Sequence, residues 1–110
     1  MHWIPLTEST QLDEAIALSH SKPVAIFKHS TRCSVSRMVQ KTLELDWDFK
    51  EEELPIYFLD LITYRSISNS IAERLAVHHE SPQLIVLRDG KAVYYASHSE
   101  IDIDDILVGK

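Results

Sequence analysis

Cysteine, glycine and long apolar runs are what this sequence has least of. Its 110 residues include one cysteine, Cys33, and two glycines, Gly90 and Gly109. One cysteine cannot form an internal disulfide, and free thiols persist in reducing compartments, so we expect a cytoplasmic protein. So few glycines exclude the glycine-rich loops that bind phosphate groups. No apolar run approaches the roughly 20 residues of a membrane-spanning helix, so no membrane partner is expected.

Acidic side chains outnumber basic ones, and this excess bears on partners. The chain has 17 acidic and 11 basic residues and a formal net charge of -6. A surface of that sign repels phosphate backbones and anionic lipids, so we expect no nucleic-acid partner. The start, Met1 to Leu6, lacks the basic residues and apolar core of a signal peptide. The length predicts a single domain over residues 1–110.

Hydrophobic periodicity predicts alternating helices and strands. Helices are expected at 10–19, 33–45, 66–76 and 99–107, and strands at 23–28, 55–61, 82–87 and 91–96. Helices separate the first three strands, which favours parallel pairing, while Asp89-Gly90 is a typical two-residue hairpin turn. The predicted fold is therefore α/β and thioredoxin-like, a mixed four-stranded central sheet flanked by helices on both faces.

Cys33 is the main candidate for catalysis because it lies where a buried strand gives way to a helix. A helix N-terminus carries unpaired N–H groups and about half a positive charge, which stabilise a thiolate. Lys28, His29, Arg32 and Arg37 make this the most basic stretch of the chain, and their charges act in the same direction. We expect Cys33 to be a nucleophilic thiolate.

Ser36 stands where a Cys-x-x-Cys motif has its second cysteine. Without a second thiol, a disulfide between Cys33 and a partner must be resolved from outside. Thr31, Arg32, Ser34 and Ser36 are expected to support the site, and the two serines are in a position to donate hydrogen bonds to the sulfur. The predicted chemistry is one-thiol exchange, in which a small thiol is taken from a protein cysteine and passed to a second small thiol.

Three alternatives to this enzyme remain open on the residues alone. Cys33 is an ordinary packed cysteine in one of them, since free cysteine is among the most buried residue types. In another, Cys33 is a redox sensor that links two chains through a disulfide. In a third, the domain is a non-catalytic module that binds extended peptides.

A second feature is Ser81-Pro82, which precedes an apolar strand. Proline often marks only the first residue of a strand. The sharper hypothesis is a cis peptide bond between Ser81 and Pro82, in a loop beside the start of the Cys33 helix. This arrangement would leave the Ser81 backbone free to pair with an extended substrate, so both residues are predicted to bind substrate.

Histidine and acidic clusters are weaker candidates. His78 and His79 are adjacent, so they would point apart on a strand, and no second cysteine or spaced histidine accompanies them. Asp102, Asp104 and Asp105 are more simply helix-start charges than calcium ligands, because no loop with a central glycine surrounds them. No metal site and no bound cofactor are expected.

Four segments carry a resemblance to a known family. The chain resembles the monothiol bacilliredoxins, the YtxJ-like thioredoxin-fold proteins of the bacillithiol system, and the resemblance covers nearly the whole domain. A Cys-x-x-Ser pattern alone would be weak, but the His-Glu-Ser-Pro-Gln and Ser-His-Ser sequences beside it make the match specific. The matching segments are residues 28–36, 68–73, 77–83 and 96–99.

The resemblance implies a function as well as a fold. It implies that Cys33 removes bacillithiol, or a similar low-molecular-weight thiol acting as co-substrate, from S-thiolated client proteins. It also implies that Pro82 is a cis-proline. One departure is visible at Ser34, where the family often has proline.

Overall fold

The computed structural model describes residues 1–108. The strands are β1 (Trp3–Pro5), β2 (Val24–His29), β3 (Ile56–Asp60), β4 (Gln83–Arg88) and β5 (Lys91–Ser97). The helices are α1 (Ser9–Leu18), α2 (Ser34–Asp46), α3 (Arg65–Leu75) and α4 (Ile103–Val108), and a short 3₁₀ helix at His98–Glu100 joins β5 to α4.

These strands form one mixed sheet in the order β1-β3-β2-β4-β5. Strands β1 and β2 run parallel to β3, whereas β4 is antiparallel to both β2 and β5. The mixed sheet is as predicted, but the predicted number of four strands is wrong. The additional strand, β1, is three residues long and contains Pro5, so it shows no alternating pattern and lies at the sheet edge, where proline is tolerated.

Strand β2 is the centre of the core, and all six of its residues are buried. Its side chains alternate between the two faces of the sheet. Ile26 packs in one cluster with Leu12 of α1 and Ile71 of α3. Phe27 packs in a second cluster with Leu43 of α2. Helices α1 and α3 therefore cover one face, and α2 covers the other with α4.

The hairpin between β4 and β5 closes through Asp89 and Gly90, as predicted. Arg88 pairs with Lys91 across the turn, and the central residues have φ of 54° and 76°. Positive φ at both positions is what a type I′ turn requires, and Asp-Gly is a favoured pair there. This turn confirms the antiparallel pairing of the last two strands.

The last helix begins later than predicted. Residues 98–100 form the 3₁₀ helix, and α4 starts at Ile103 rather than near Ser99. The side chain of Asp102 accepts the N–H of Asp104 at 2.9 Å, the usual hydrogen bond of a residue that caps a helix N-terminus. Asp102 therefore precedes α4, whereas the sequence pattern placed it inside the helix.

Candidate active site at the start of the second helix

Cys33 caps the N-terminus of α2 and is partly exposed. Its backbone is extended, with φ of -105° and ψ of 121°. Its N–H donates to the Ser30 carbonyl at 3.2 Å, and its own carbonyl accepts the N–H of Arg37 at 3.1 Å, which closes the first helical turn. The thiol thus lies at a strand-to-helix junction, open to a partner and beside the unpaired N–H groups of the first turn.

The basic residues near Cys33 separate into two groups. Arg32 and Arg37 are exposed, and Arg37 Nη1 donates to the Thr31 carbonyl at 3.0 Å, which holds the guanidinium over the loop before the thiol. Lys28 and His29 are buried on opposite faces of β2. The four basic residues of this stretch therefore do not all face the thiol, because strand alternation points the side chains of Lys28 and His29 into the protein.

Ser36 is fully buried and connects the strand to the helix. Its Oγ lies 2.7 Å from Nδ1 of His29 and accepts the backbone N–H of Ser30 at 3.0 Å. Burial lowers the pKa of His29, so its imidazole is neutral at neutral pH. These contacts fix the backbone that leads into Cys33.

No hydrogen bond to the Cys33 sulfur is present within residues 1–108. The expectation that Ser34 and Ser36 donate to the sulfur is therefore not met. Ser36 is already committed to His29 and Ser30, and Ser34 is exposed, as is Thr31. The support that Ser36 gives the site is to the main chain rather than to the thiol.

Ser81-Pro82 is a cis peptide bond, as predicted. Gln83, the next residue, pairs with Lys28 at the end of β2 that leads to Cys33. The Pro82 carbonyl accepts the N–H of His98 at 2.9 Å. The backbone N–H and carbonyl of Ser81 have no hydrogen-bond partner within the described chain, which is the state expected of a group that pairs with a substrate.

Lys28 lies beneath the loop that contains Ser81 and Pro82, whereas its position in the sequence predicts that it is near Cys33. Its Nζ donates to the Ser68 carbonyl at 3.2 Å and lies at the same distance from Nδ1 of His79. Ser68 Oγ is 3.4 Å from the same imidazole nitrogen. This contact joins the end of β2 to α3 and to the segment before Ser81. The signal in the sequence is a lysine that directly follows the apolar run Val24 to Phe27 in a strand predicted to be buried.

Burial lowers the pKa of Lys28 to about 8. The pKa of His79 is also lowered, first by burial and then by the charge of Lys28. Between about pH 8 and the usual lysine pKa near 10.4, the unfolded chain therefore holds a proton that the folded chain releases. This difference makes the folded state more stable as pH rises through that window.

Replacing Lys28 tests this buried charge. Between pH 8 and pH 10 we expect the free energy of unfolding of the natural protein to rise by about 2 kcal/mol relative to Lys28→Met. Denaturant unfolding of both proteins at each pH measures the difference. Tyrosine side chains also ionise near pH 10, and subtracting the two proteins removes their common contribution to stability. If the free energy of unfolding depends on pH in the same way for both proteins, Lys28 is not a buried group with a lowered pKa.

The described residues contain no group of three or more histidine, cysteine, aspartate or glutamate side chains placed to hold a metal ion. Over the same residues, no helix combines the length and apolar character needed to cross a membrane.

The model of the family described as monothiol bacilliredoxin BrxC matches residues 4–106. A solved structure described as a candidate oxidoreductase with a thioredoxin fold superposes with a TM-score of 0.81 at 26% identity, covering 97% of this chain and 92% of that one.

Two thioredoxins are also similar in structure. That of Malassezia sympodialis (Mala s 13) has a TM-score of 0.75 at 14% identity, with 97% of this chain and 86% of that chain covered. That of Fasciola hepatica has a TM-score of 0.70 at 16% identity, with 96% and 93% covered. These likenesses establish the thioredoxin-like α/β fold that the order of elements predicts.

Proposed function

The chain belongs to the monothiol bacilliredoxin family, and on that premise we propose that it removes a low-molecular-weight thiol, bacillithiol or a similar one, from mixed disulfides on client proteins. The observation that carries the proposal is the position of Cys33, partly exposed at the N-terminus of α2. Family membership and the oxidoreductase-like fold both support a thiol redox function.

In the first proposed step, the Cys33 thiolate attacks the small-thiol sulfur of the mixed disulfide. A bond forms between Cys33 and the small thiol while the bond to the client sulfur breaks. The electron pair leaves with the client sulfur, which takes a proton from solvent. The client cysteine is reduced, and Cys33 is left in a mixed disulfide with the small thiol.

In the second step, the thiolate of another small-thiol molecule attacks the sulfur bound to Cys33. This attack releases the Cys33 thiolate and a symmetrical small-molecule disulfide, so the second small thiol supplies the reducing equivalents. Resolution has to come from outside because Ser36 offers a hydroxyl, which is a poor nucleophile toward sulfur and is occupied by His29 and Ser30.

Ser81 has a role in client recognition within this proposal. Its backbone N–H and carbonyl have no partner within residues 1–108, and an extended client chain supplies the complementary pair. This mode adds a short strand-like segment, in which main-chain hydrogen bonds provide affinity without fixing the client sequence.

A turnover assay tests the proposal. An S-thiolated protein is incubated with excess small thiol, and release of the client thiol is followed by mass spectrometry. Amounts of this protein well below those of the client should accelerate release, with bacillithiol and other small thiols compared as reductants. Release at the rate given by the small thiol alone, with every reductant, would reject the proposed activity.

A further inference from the structure

Helix α2 presents an apolar stripe to solvent that begins beside Cys33. Val35, Met38 and Leu45 are exposed by 45%, 68% and 85%, and their spacing places them on one side of the helix. Large apolar side chains exposed together along one helix face commonly mark a surface where another chain binds. The stripe is roughly 15 Å long at 1.5 Å per residue.

A groove of about 430 Å³ runs alongside this stripe, between α2 and residues 98–104. Val35 and Met38 line it in the first turns of α2, near Cys33. Its lining also includes three carboxylates among further apolar side chains: Asp46, Asp102 and Asp104. None of these three carboxylates forms an ion pair within the described chain. The groove is therefore apolar beside the start of α2, and its acidic residues include Asp46 at the far end of that helix.

The end of α2 adds to this negative potential. A helix C-terminus carries about half a negative charge and normally favours a nearby cation. The last turn of α2 contains no basic residue, and its final residue is Asp46. A cation supplied by a bound partner would compensate both the helix terminus and the carboxylates around it.

We propose that this groove binds the client protein through a segment that is apolar next to its thiolated cysteine and basic farther along. The inference rests on the proposed function, since it places the client cysteine at Cys33. Asp46 lies thirteen positions beyond Cys33, roughly 20 Å along the helix at 1.5 Å per residue. An extended chain covers that distance in about six residues at 3.3 Å each, so the basic residues should lie five or six positions from the client cysteine.

Charge argues against two other occupants. A second copy of this chain would bring the same carboxylates into an already acidic groove, where like charges repel. An anionic membrane surface would be repelled for the same reason. A basic segment is the partner whose charge complements the groove.

Three peptides of equal length test the proposal. One carries lysines five and six residues on either side of an S-thiolated cysteine, a second carries glutamates there, and a third carries the lysines directly beside the cysteine. A single S-thiolated cysteine, with blocked amino and carboxyl groups and no flanking residues, reports the exchange reaction alone. It is called the blocked cysteine below. Versions with serine in place of the cysteine report binding alone, by fluorescence anisotropy.

We expect the first peptide to exceed the second by roughly fivefold or more in kcat/KM and in affinity at low salt, and to exceed the third by a smaller factor. Added salt should reduce this preference. The double variant Asp46→Asn/Asp104→Asn should bring it below about twofold, while the equal charge change Glu14→Gln/Glu73→Gln, on the helices of the opposite face, should leave it intact.

Two results separate this inference from the proposed function. If the blocked cysteine reacts with Cys33 but all peptides bind and react alike, the groove does not select basic segments and the inference is overturned. If the blocked cysteine forms no adduct, the proposed activity fails, and the serine peptides still decide whether the groove prefers the basic segment.

Discussion

Cys33→Ser is expected to lower the rate of small-thiol removal by about a thousandfold or more, to the level of the uncatalysed exchange. A serine hydroxyl is not ionised at neutral pH and cannot form the mixed disulfide. The fold should be unchanged, because Cys33 is partly exposed and its sulfur has no hydrogen bond within residues 1–108. The turnover assay measures the loss, and denaturant unfolding should show a stability change within about 0.5 kcal/mol.

The matched control is Ser34→Ala, at the neighbouring exposed position. It keeps the thiol and should retain most of the activity. Turnover by Cys33→Ser close to that of the natural protein would mean that the reaction does not pass through this cysteine. If Cys33→Ser still binds the client but does not turn it over, client recognition does not depend on the thiol. If the natural protein itself binds clients but is inactive, a peptide-binding module is favoured.

Ser36→Cys should convert one-thiol exchange into two-thiol exchange. Residue 36 is the third position of α2, and an N-cap side chain commonly reaches that position. A thiolate there would attack the Cys33 sulfur, expel the small thiol and leave a disulfide between residues 33 and 36. With external thiol near 0.1 mM, the adduct on Cys33 should decay at least about tenfold faster, because a tethered group acts at millimolar effective concentration or above.

Ser36→Ala is the control that removes the hydroxyl without adding a thiol. It leaves the Ser30 N–H and the His29 imidazole without this partner and should cost about 1–3 kcal/mol of stability. Its adduct should persist as in the natural protein. Quenched-flow mass spectrometry follows the adduct in all three proteins, and equal lifetimes for Ser36→Cys and the natural protein would contradict this geometry.

Sequence patterns predict much of this fold because its core elements are strongly patterned. The buried run of β2, the apolar spacing of α2 and the Asp89-Gly90 turn each have one simple interpretation. The edge strand β1 has none, since three residues cannot reveal a period of two. The start of α4 does not follow from the sequence either, because both Ser99 and Asp102 are residue types that cap helices, and only three-dimensional packing selects between them.

The positions of Cys33 at a helix start and of Pro82 in a cis peptide bond could be predicted from the sequence. The directions of the basic side chains around the thiol could not. Lys28 and His29 are near Cys33 in sequence, and this proximity alone predicts that their charges act on the thiol. Their actual directions depend on the alternation of a strand that is buried on both faces, which an unbroken apolar run does not display. The same alternation directs Lys28 toward Ser68 and His79 on one face and His29 toward Ser36 on the other, so these side chains make internal contacts on either side of the thiol.

A single-turnover experiment tests the central claim most directly. One equivalent of S-thiolated client is mixed with the protein without any second thiol, quenched in acid and examined by intact mass and peptide mapping. The account predicts that the mass of one small thiol leaves the client and appears on the peptide containing Cys33, in equal amounts. Release of the client thiol without an adduct on Cys33, or an adduct that joins Cys33 to the client itself, would contradict it.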